Sequence, residues 1–562
     1  MRMSQTADLW WKNGVFYCAP VQAFLDTDGD GTGDLPGMTR RIDYLADLGV
    51  TVLWLMPFYP SGGVDDGYDV TDFYGVDPRY GNLGDFVELV QTAQSRGIRV
   101  IIDFVMNHTS DQHPWFKESR KSVDNPYRDH YVWRSSTPPD TSEAVVFPDV
   151  EDSLWELDER TGEYYLHNFY RQQPDLNVAN PVVREEITKV MGFWLQLGVS
   201  GFRVDAVPFM FSRDDLPAEE SRFQYDPHEA LRHLRSFCQR KGADIVLLGE
   251  VNVPFAEQKK FFGGSDGDEL TMQFDFIGMQ AFWLSLARQD ARPLAKALRR
   301  RPETDVVSQY ANFVRNHDEL TLDKLTESER QEVFQAFGPD PDMQIYERGL
   351  RRRLPTMLQG DPRRIKMAYS LMFSLPGTPT LFYGEEIGMG ENLDVEGRYA
   401  VRTPMQWNDE PLGGFSTARP SRLVRPLPGG GYGPEHVNVA SQRRDPDSLW
   451  RFIRKLVRVR RQSPEVGFGD YTELRCSDNH VLAHAVQVDD WSLVAVHNFS
   501  PEATTVRLDL EPTASGRPAI LSLVDLLSDR CIVADVDVLD LEVAGYDHHW
   551  FRVHREGDDR IG

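Results

Sequence analysis

The chain has 562 residues, of which 41% are hydrophobic and 26% charged, a composition typical of globular proteins and not of disordered ones. Its 61 Lys and Arg residues stand against 87 Asp and Glu residues, which gives a formal net charge of −26 at pH 7. Because such a field repels nucleic-acid phosphates and anionic lipid, we expect neither nucleic acid nor a membrane as a partner. The balance favours a small neutral or cationic substrate and leaves a homo-oligomer open.

The N-terminal segment and the cysteines indicate a cytoplasmic location. No apolar stretch near the N-terminus has the character of a signal peptide. The apolar runs elsewhere, such as the one that begins at Val50, are shorter than the ~18 residues that a membrane span needs. Cys18, Cys238, Cys476 and Cys531 show no CxxC spacing, so we expect reduced, mostly buried thiols, with a disulfide as the alternative.

Short β-branched or aromatic runs alternate with segments of helical length. The runs are apolar on both faces, which is typical of strands covered by helices on one side and by a packed core on the other. Helices are clearest at Leu83–Gly97 and Asn180–Gly198, which end at glycine. Such alternation predicts an α/β fold, a (β/α)8 TIM barrel. No GxGxxG follows the first strand, so a dinucleotide site has no support, and we expect no organic cofactor. The predicted strands are Phe16–Val21, Thr51–Pro57, Arg99–Asn107, Gly201–Val207, Ile245–Val251, Leu270–Phe276, Tyr310–His317 and Thr378–Gly384.

Two long gaps between predicted strands and a late change of pattern divide the chain into domains. The predicted divisions are a first barrel part at 1–106, an inserted small domain at 107–180 after the third strand, a second barrel part at 181–467, and a C-terminal β-sandwich at 468–562. A charged helical stretch at about 319–361 is interpreted as a lid over the barrel mouth. The basic amphipathic segment Ser448–Ser463 is predicted to be the last barrel helix rather than a calmodulin-binding or membrane-binding segment.

Three acids follow predicted strands at the end of a barrel where working groups lie. They are Asp205, Glu250 and Asp318, and the same strand ends carry His108, Arg203 and His317. Such a set suits glycosidic-bond cleavage, in which one carboxylate attacks the anomeric carbon and another protonates the leaving oxygen. The alternative, that each acid is a structural ion-pair partner, is disfavoured because three strand ends carry one.

An acidic loop near the N-terminus predicts a structural metal site. Asp26, Asp28, Asp30 and Asp34, with the carbonyl of Thr32, offer oxygen ligands of the kind that Ca²⁺ or Mg²⁺ prefers. Position twelve of the loop is Gly37 rather than Glu, so the pattern is not that of a full EF-hand. A solvated acidic turn is the alternative, but acids at this density repel one another unless a cation is present.

Four segments resemble the signature segments of the α-amylase family, family thirteen of the glycoside hydrolases. They are DFVMNH (Asp103–His108), GFRVDAV (Gly201–Val207), GEVN (Gly249–Asn252) and FVRNHD (Phe313–Asp318). The resemblance implies Asp205 as nucleophile, Glu250 as general acid/base and Asp318 as the group that binds ring hydroxyls of the distorted sugar. It also implies that Arg203, His108 and His317 line the −1 subsite, and that Asn107 and Asp175 contribute to a second Ca²⁺ site.

Further segments resemble the branch of this family that acts on short α-glucosides, the trehalose synthases and α-glucosidases. These are DDGYDVTDF (Asp65–Phe73), RTPMQW (Arg402–Trp407) and EEIGMGEN (Glu385–Asn392). The resemblance implies that Tyr68 stacks under the −1 sugar, that Asp65 pairs with Arg402 to close the pocket, and that cleavage is exo. It places Phe147, Phe169 and Gln173 in the entrance wall, although Phe147 can equally be core of the inserted domain.

The resemblance implies a retaining, covalent mechanism on a small α-glucoside. We expect the carboxyl groups of Asp205 and Glu250 about 5–5.5 Å apart, and the pKa of Glu250 near the working pH. Asp205 is expected to stay ionised beside Arg203. Isomerisation of maltose to trehalose is favoured over hydrolysis by an α-glucosidase, which is the alternative.

Overall fold

The computed structural model describes residues 9–211, 226–264, 266–488, 491–510, 520–533 and 538–556. Within them, eight parallel strands close into a barrel, and their order around the barrel follows the chain. The first strand pairs with the second (Phe16 opposite Val52) and with the eighth (Phe16 opposite Thr380), which closes the ring. The predicted TIM barrel is therefore confirmed. Its strands are Phe16–Ala19, Val52–Leu55, Arg99–Phe104, Gly201–Val204, Val246–Gly249, Met272–Phe274, Gln309–Asn312 and Thr378–Phe382.

The strands are shorter at their carboxyl ends than the sequence predicts. The seventh was predicted to run to His317, but it ends at Asn312. His317 and Asp318 therefore lie in the loop that follows the strand, and not at its last residue. This matters for the site, because a loop can turn these side chains toward the barrel axis.

Local sequence signals explain where the surrounding helices begin. Asn82 caps the helix Leu83–Ser95 in a reciprocal capping box with Asp85. Asn180 caps Pro181–Gln196, which has proline at its first turn. The α-helices are Leu35–Arg40, Ile42–Leu48, Leu83–Ser95, Pro114–Ser119, Pro181–Gln196, Pro227–Lys241, Phe255–Gln258, Phe276–Arg288, Arg292–Arg300, Glu327–Phe337, Leu354–Met357, Pro362–Ser374, Val439–Arg444, Leu449–Arg461 and Glu465–Phe468.

Two excursions leave the barrel at its carboxyl end. After the third strand, the chain forms a small antiparallel sheet of Trp133–Arg134, Trp155–Asp158 and Glu163–Leu166. After the seventh strand, Leu320–Thr321, Gln344–Ile345 and Gly349–Leu350 form a second small sheet beside the helix Glu327–Phe337. The helical interpretation of 319–361 missed this sheet, because strands of two residues leave no periodic pattern.

The C-terminal part is an antiparallel sheet domain, as predicted. A six-stranded sheet and a two-stranded sheet enclose a separate apolar core. Buried polar contacts join it to the barrel helix Pro362–Ser374, where Ser370 Oγ accepts from Trp550 Nε1 (3.0 Å) and contacts His497 Nε2 (3.0 Å). The strands are Asp470–Glu473, Val481–Val488, Trp491–Asn498, Thr504–Asp509, Ile520–Asp525, Cys531–Val533, Val538–Val543 and His548–Arg555.

The four cysteines differ in their exposure. Cys18 and Cys238 are buried, Cys476 is half-buried, and Cys531 is exposed. The expectation of mostly buried thiols is thus wrong for Cys531, which lies on a short strand at the edge of the larger sheet. Among the described residues, none of the helices is both long enough and apolar enough to cross a bilayer.

Candidate active site

The acids predicted from the sequence meet at the carboxyl end of the barrel. Asp205 directly follows the fourth strand and Glu250 directly follows the fifth, so neighbouring parallel strands bring them side by side. The N–H of Ala206, the residue after Asp205, donates to Glu250 Oε2 (3.1 Å). Ala206 holds a positive φ of 48°, a conformation that costs a non-glycine residue roughly 1–2 kcal/mol and that aims this N–H at the acid.

A single guanidinium, that of Arg203, organises the acids. It is buried and pairs through Nη1 with Asp103 Oδ1 (2.6 Å) and with Asp205, while Nη2 pairs with Glu250 Oε2 (2.9 Å). Because the two Nη atoms of one side chain hold Asp205 and Glu250, the two carboxyl groups lie close together. This arrangement suits a retaining pair, in which the two carboxyl groups flank the bond from close range.

Asp103 also belongs to the site. It lies in the segment DFVMNH, but the sequence did not predict a role for it. Its carboxylate also accepts from Trp54 Nε1 (2.7 Å), and burial raises its pKa to about 6. The sequence feature that could have indicated this role is an acid within the largely apolar strand RVIIDF, because a charge is costly to bury unless it is paired. Asp103 therefore fixes Arg203 from the barrel core.

The charges around Arg203 do not balance when every acid is ionised. Burial raises the pKa of Glu250 to about 7 and that of Asp205 to about 7, although Arg203 opposes both shifts. Three carboxyls around one cation thus share a proton near neutral pH. The expectation that Asp205 stays ionised beside Arg203 did not take this burial into account, which raises the pKa of Asp205 in spite of Arg203. One of the carboxyls of Asp205 and Glu250 can thus hold the proton while the other is ionised.

Asp318 has the opposite environment. Burial opposes its ionisation, but the guanidinium groups of Arg398 and Arg402 hold its pKa below the usual range. Its Oδ1 accepts from Arg398 Nη1 (2.6 Å) and from Arg402 Nη2 (3.0 Å). Asp318 is thus a fixed anion, suited to binding hydroxyls or a developing positive charge and not to proton transfer.

The ion pairs that close the back of the pocket differ from those expected. Asp65 pairs in bidentate fashion with Arg398 (2.8 Å to each oxygen), and not with Arg402. Arg402, the residue that follows the 3-10 segment Gly397–Val401, instead pairs with Asp66 (2.8 Å). Sequence reasoning missed Arg398, whose only signal was its position four residues before Arg402.

The aromatic and histidine residues of the predicted −1 subsite lie together. The Tyr68 ring stacks on that of His317, with its hydroxyl 2.7 Å from His317 Nε2. His108 Nε2 lies 3.1 Å from the Tyr68 carbonyl oxygen. Burial lowers the pKa of His108 to about 3 and that of His317 well below its usual value, so both rings are neutral. Neutral rings can both donate and accept, as sugar hydroxyls require.

A cavity of about 350 Å³ lies over the acids. Glu250 and Asp318 reach it, and Phe147 and Phe169 form part of its wall, as the resemblance implies. Gln173 is fully buried and lies outside that wall, since its amide oxygen turns inward to accept from Tyr170 N (3.1 Å). Its predicted place at the entrance stays a prediction.

The acidic loop gathers three of its four acids. Ligand oxygens of Asp26, Asp28 and Asp34 lie within 4.8 Å of one another, which fits a hard divalent cation. Asp30 is outside that group and accepts from Thr32 N (2.7 Å).

At the second predicted metal site, Asn107 Nδ2 donates to Asp175 Oδ1 (3.2 Å). The structure thus brings Asn107 and Asp175 together through a hydrogen bond, and a second cation there stays a prediction.

Comparison with known proteins places the geometry in a family. The alpha-amylase catalytic domain model matches residues 20–336 and 351–469. The trehalose synthase/amylase of Mycobacterium tuberculosis is 41% identical over 519 residues, which span 91% of this chain and 86% of that protein. The oligo-1,6-glucosidase of Parageobacillus thermoglucosidasius is 31% identical, over 89% of this chain and 92% of that protein. The isomaltulose synthase of Erwinia rhapontici NX5, solved with sucrose, superposes with a TM-score of 0.77 at 26% identity and covers 97% of this chain and 99% of that one.

The charge balance around Arg203 can be tested without a substrate. Arg203→Met removes the cation shared by Asp103, Asp205 and Glu250, and breaking a buried pair in this way costs about 3–5 kcal/mol of unfolding free energy. The carboxyls have folded-state pKa values above their unfolded ones, so they destabilise the fold increasingly as pH rises. The deficit, measured by denaturant unfolding, is expected to be larger at pH 8 than at pH 5.

A matched control is Arg444→Met, since Arg444 is exposed and bonds only the carbonyl of Ala440 among the contacts described. This variant is expected to change the unfolding free energy little at either pH. A deficit for Arg203→Met that is equal at pH 5 and pH 8 would contradict the shared-proton account.

Proposed function

Because this chain belongs to the α-amylase family, we propose that it transfers α-glucosyl units within short substrates and that its main reaction interconverts maltose and trehalose. One structural observation carries the short-substrate part. Arg398, held between Asp65 and Asp318, closes the back of the pocket, so that only a terminal glucosyl ring fits beside the acids. The relatives named trehalose synthase, at 38–41% identity over most of the chain, support the isomerase part.

The second candidate function is hydrolysis by an exo-acting α-glucosidase. The relative named oligo-1,6-glucosidase, at 31% identity over 89% of this chain, supports it. Both functions need the same first step and the same closed pocket. They differ only in whether water or a sugar hydroxyl opens the covalent intermediate.

The first step forms a covalent glucosyl-enzyme. Asp205 attacks C1 of the terminal α-glucosyl ring, while Glu250 gives its proton to the departing oxygen. The C1–oxygen bond breaks, a β-glucosyl ester on Asp205 forms, and the leaving sugar departs as a neutral alcohol. Asp318 is placed to hold ring hydroxyls of the distorted sugar, and Arg203 stabilises the Asp205 and Glu250 charges throughout.

The second step determines the product. Glu250, now ionised, takes a proton from the incoming hydroxyl, whose oxygen attacks C1 and releases Asp205. If the retained glucose has turned over and offers its O1, trehalose forms; if it offers O4, maltose re-forms. If water enters instead, glucose is released, so the exclusion of water from the cavity decides between transfer and hydrolysis.

Incubation of the purified protein with maltose tests the proposed function. We expect trehalose as the main product and glucose as a minor one, both separated by chromatography. Asp205→Asn removes the nucleophile and is expected to lower the formation of both products by about 10³-fold or more. Asp43→Asn, which alters an exposed acid on the helix Ile42–Leu48, is the matched control and is expected to behave as the wild type.

Glucose as the only product would favour the α-glucosidase instead. Trehalose formation by Asp205→Asn at close to the wild-type rate would refute Asp205 as the nucleophile.

The raised pKa of Glu250 predicts the alkaline limb of the pH profile. Glu250 acts first as an acid, so kcat/KM for maltose is expected to fall by about tenfold per pH unit above about pH 7, as its proton is lost. α-Glucosyl fluoride needs little acid assistance. Glu250→Gln is therefore expected to spare fluoride release in the first step and to abolish this alkaline limb. Equal losses on maltose and on the fluoride would count against the acid role.

We also propose that the loop from Asp26 to Asp34 holds a structural Ca²⁺, with Mg²⁺ as the other candidate. The support is the group of three carboxylates at Asp26, Asp28 and Asp34. The ion would neutralise the loop next to the helix Leu35–Arg40, whose first turn Asp34 caps through Gly37 N (2.6 Å). It would take no part in the reaction.

Thermal unfolding tests this site independently of activity. A chelator is expected to lower the Tm by several degrees and added Ca²⁺ to restore it, because an ion that binds only the folded state stabilises it. Asp28→Asn should weaken this response, whereas Asp30→Asn, outside the group of three, should retain most of it. An unchanged Tm with chelator and with Ca²⁺ would refute the site.

We further propose that the enzyme works in the cytoplasm. The support is the set of free cysteines at 18, 238, 476 and 531, among which Cys531 is exposed. Exposed thiols persist in reducing compartments and are oxidised outside them.

A further inference from the structure

A second cavity, of about 680 Å³, lies away from the catalytic acids. It is formed between the helix Leu449–Arg461 and the carboxyl end of the helix Ile42–Leu48. Gly49, which lines it, comes just before the amino end of the strand Val52–Leu55, so the cavity is at the end of the barrel opposite to the acids. Its volume is within the roughly 300–1,000 Å³ of small-molecule sites. The proposed reaction makes no use of it.

The wall of this cavity is strongly basic. Five cationic side chains line it, against a single acid, Asp47. The cations recur every three or four residues, so they project from one face of the helix Leu449–Arg461. Like charges at this spacing repel one another, and an anion between them would relieve the repulsion. We call this lining the basic groove, and its cations are Arg451, Arg454, Lys455, Arg458 and Arg461.

The two cations nearest the end of the helix are available to a ligand. Arg458 and Arg461 are exposed, and within the described part of the chain their guanidinium groups have no partner. Asp47, by contrast, is already paired with Arg454 (2.8 Å) and with Arg443 (2.7 Å). The acid of the wall is therefore neutralised by its own ion pairs, and the positive charge of Arg458 and Arg461 is not.

Close packing fixes the floor and one side of the groove. Gly49 has a φ of 94°, and a Cβ there would lie 2.7 Å from Val457 Cγ1, so only glycine lets the two helices approach this closely. Lys455 Nζ donates to the carbonyl of Leu527 (2.6 Å), in a turn of the C-terminal sheet domain. The groove is thus formed in advance by contacts between the barrel helices and the sheet domain.

The charge of the whole chain limits what this groove can bind. The formal net charge of −26 repels long polyanions and anionic membranes. The apolar face of the helix is buried, at Ile453 and Leu456 among others, and so is not free to enter a bilayer. Charges further than roughly 8 Å away are screened at physiological salt. A small anion inside the groove is therefore attracted by the nearby cations and largely screened from the distant acids.

We propose that the basic groove binds a small organic phosphate that carries two or more phosphate groups. The planar guanidinium groups of Arg458 and Arg461 match phosphate oxygens in pairs. Among the described residues of the wall none is aromatic, so the groove offers no ring on which a base could stack. Recognition is therefore through the phosphates, which nucleotides and sugar phosphates both supply. Such a ligand stabilises the folded state without entering the active site.

Calorimetric titration with tripolyphosphate, which carries the phosphate chemistry alone, tests the groove. We expect one tripolyphosphate per chain, with an affinity that falls as salt is added. Arg458→Gln and Arg461→Gln are each expected to lower the affinity by about tenfold, as for loss of a charge-assisted hydrogen bond. Arg458→Lys keeps the charge but not the fork of donors and should give an intermediate affinity.

Arg444→Gln is the matched control, because Arg444 is an exposed cation outside the groove whose one described bond is to the carbonyl of Ala440. It is expected to bind tripolyphosphate as the wild type does. Chelation of Ca²⁺ by the probe is the same in every variant, so the comparison between variants isolates the groove. The Tm of each variant without probe is expected to equal that of the wild type, which confirms that the fold is intact.

Two further titrations distinguish the sources of the ligand. ATP carries its phosphates on a nucleoside, and glucose 1,6-bisphosphate carries them on a sugar. Tighter binding of one of them than of tripolyphosphate assigns the ligand to that class, and equal binding of all three shows that the groove recognises phosphate alone. Each of these results supports the proposal, provided that Arg458→Gln weakens the binding.

Absence of binding by all three probes would overturn the proposal. So would binding that Arg458→Gln and Arg461→Gln leave unchanged, or that added salt does not weaken. A wild-type dimer that these variants dissociate, without binding of tripolyphosphate, would also overturn it, because the groove would then contact an acidic surface of a second copy.

Discussion

One buried cation, Arg203, governs the chemistry of this site. It is the shared partner of Asp103, Asp205 and Glu250, and the deficit of positive charge among these four groups leaves one proton in common near neutral pH. A nucleophile that must be ionised and an acid that must be protonated are thereby supplied by one cluster. The (β/α)8 barrel makes this possible because neighbouring parallel strands end at the same face.

A second charged cluster gives the site its selectivity. Arg398 and Arg402 hold Asp65, Asp66 and Asp318 in one charged wall, which we propose admits a terminal ring and excludes a continuing chain. This wall keeps Asp318 ionised while burial raises the pKa values of Asp205 and Glu250, so acids a few ångströms apart take different roles. The inserted excursion and the excursion after the seventh strand complete the enclosure where Phe147 meets Tyr346.

The sequence alone was enough to predict the barrel, the C-terminal sheet domain and the three acids. Strands covered on both faces read as apolar runs, and an acid directly after such a run is costly unless it is used. The ion-pair partner of Asp65 could not be predicted from the sequence, because the choice between Arg398 and Arg402 depends on how a short 3-10 segment is oriented toward the pocket. The small sheet of the excursion after the seventh strand was also not predicted, because strands of two residues show no periodic pattern. The inward turn of Gln173 is likewise set by a local contact with Tyr170.

The most direct test of the central claim is to trap the intermediate and map it. A fluorinated α-glucosyl fluoride that slows breakdown of the ester is incubated with the enzyme, which is then digested and examined by mass spectrometry. We predict one added glucosyl group, on the peptide that contains Asp205, and no labelled peptide in Asp205→Asn. A label on another acid, or consumption of the reagent with no covalent product, would contradict the account.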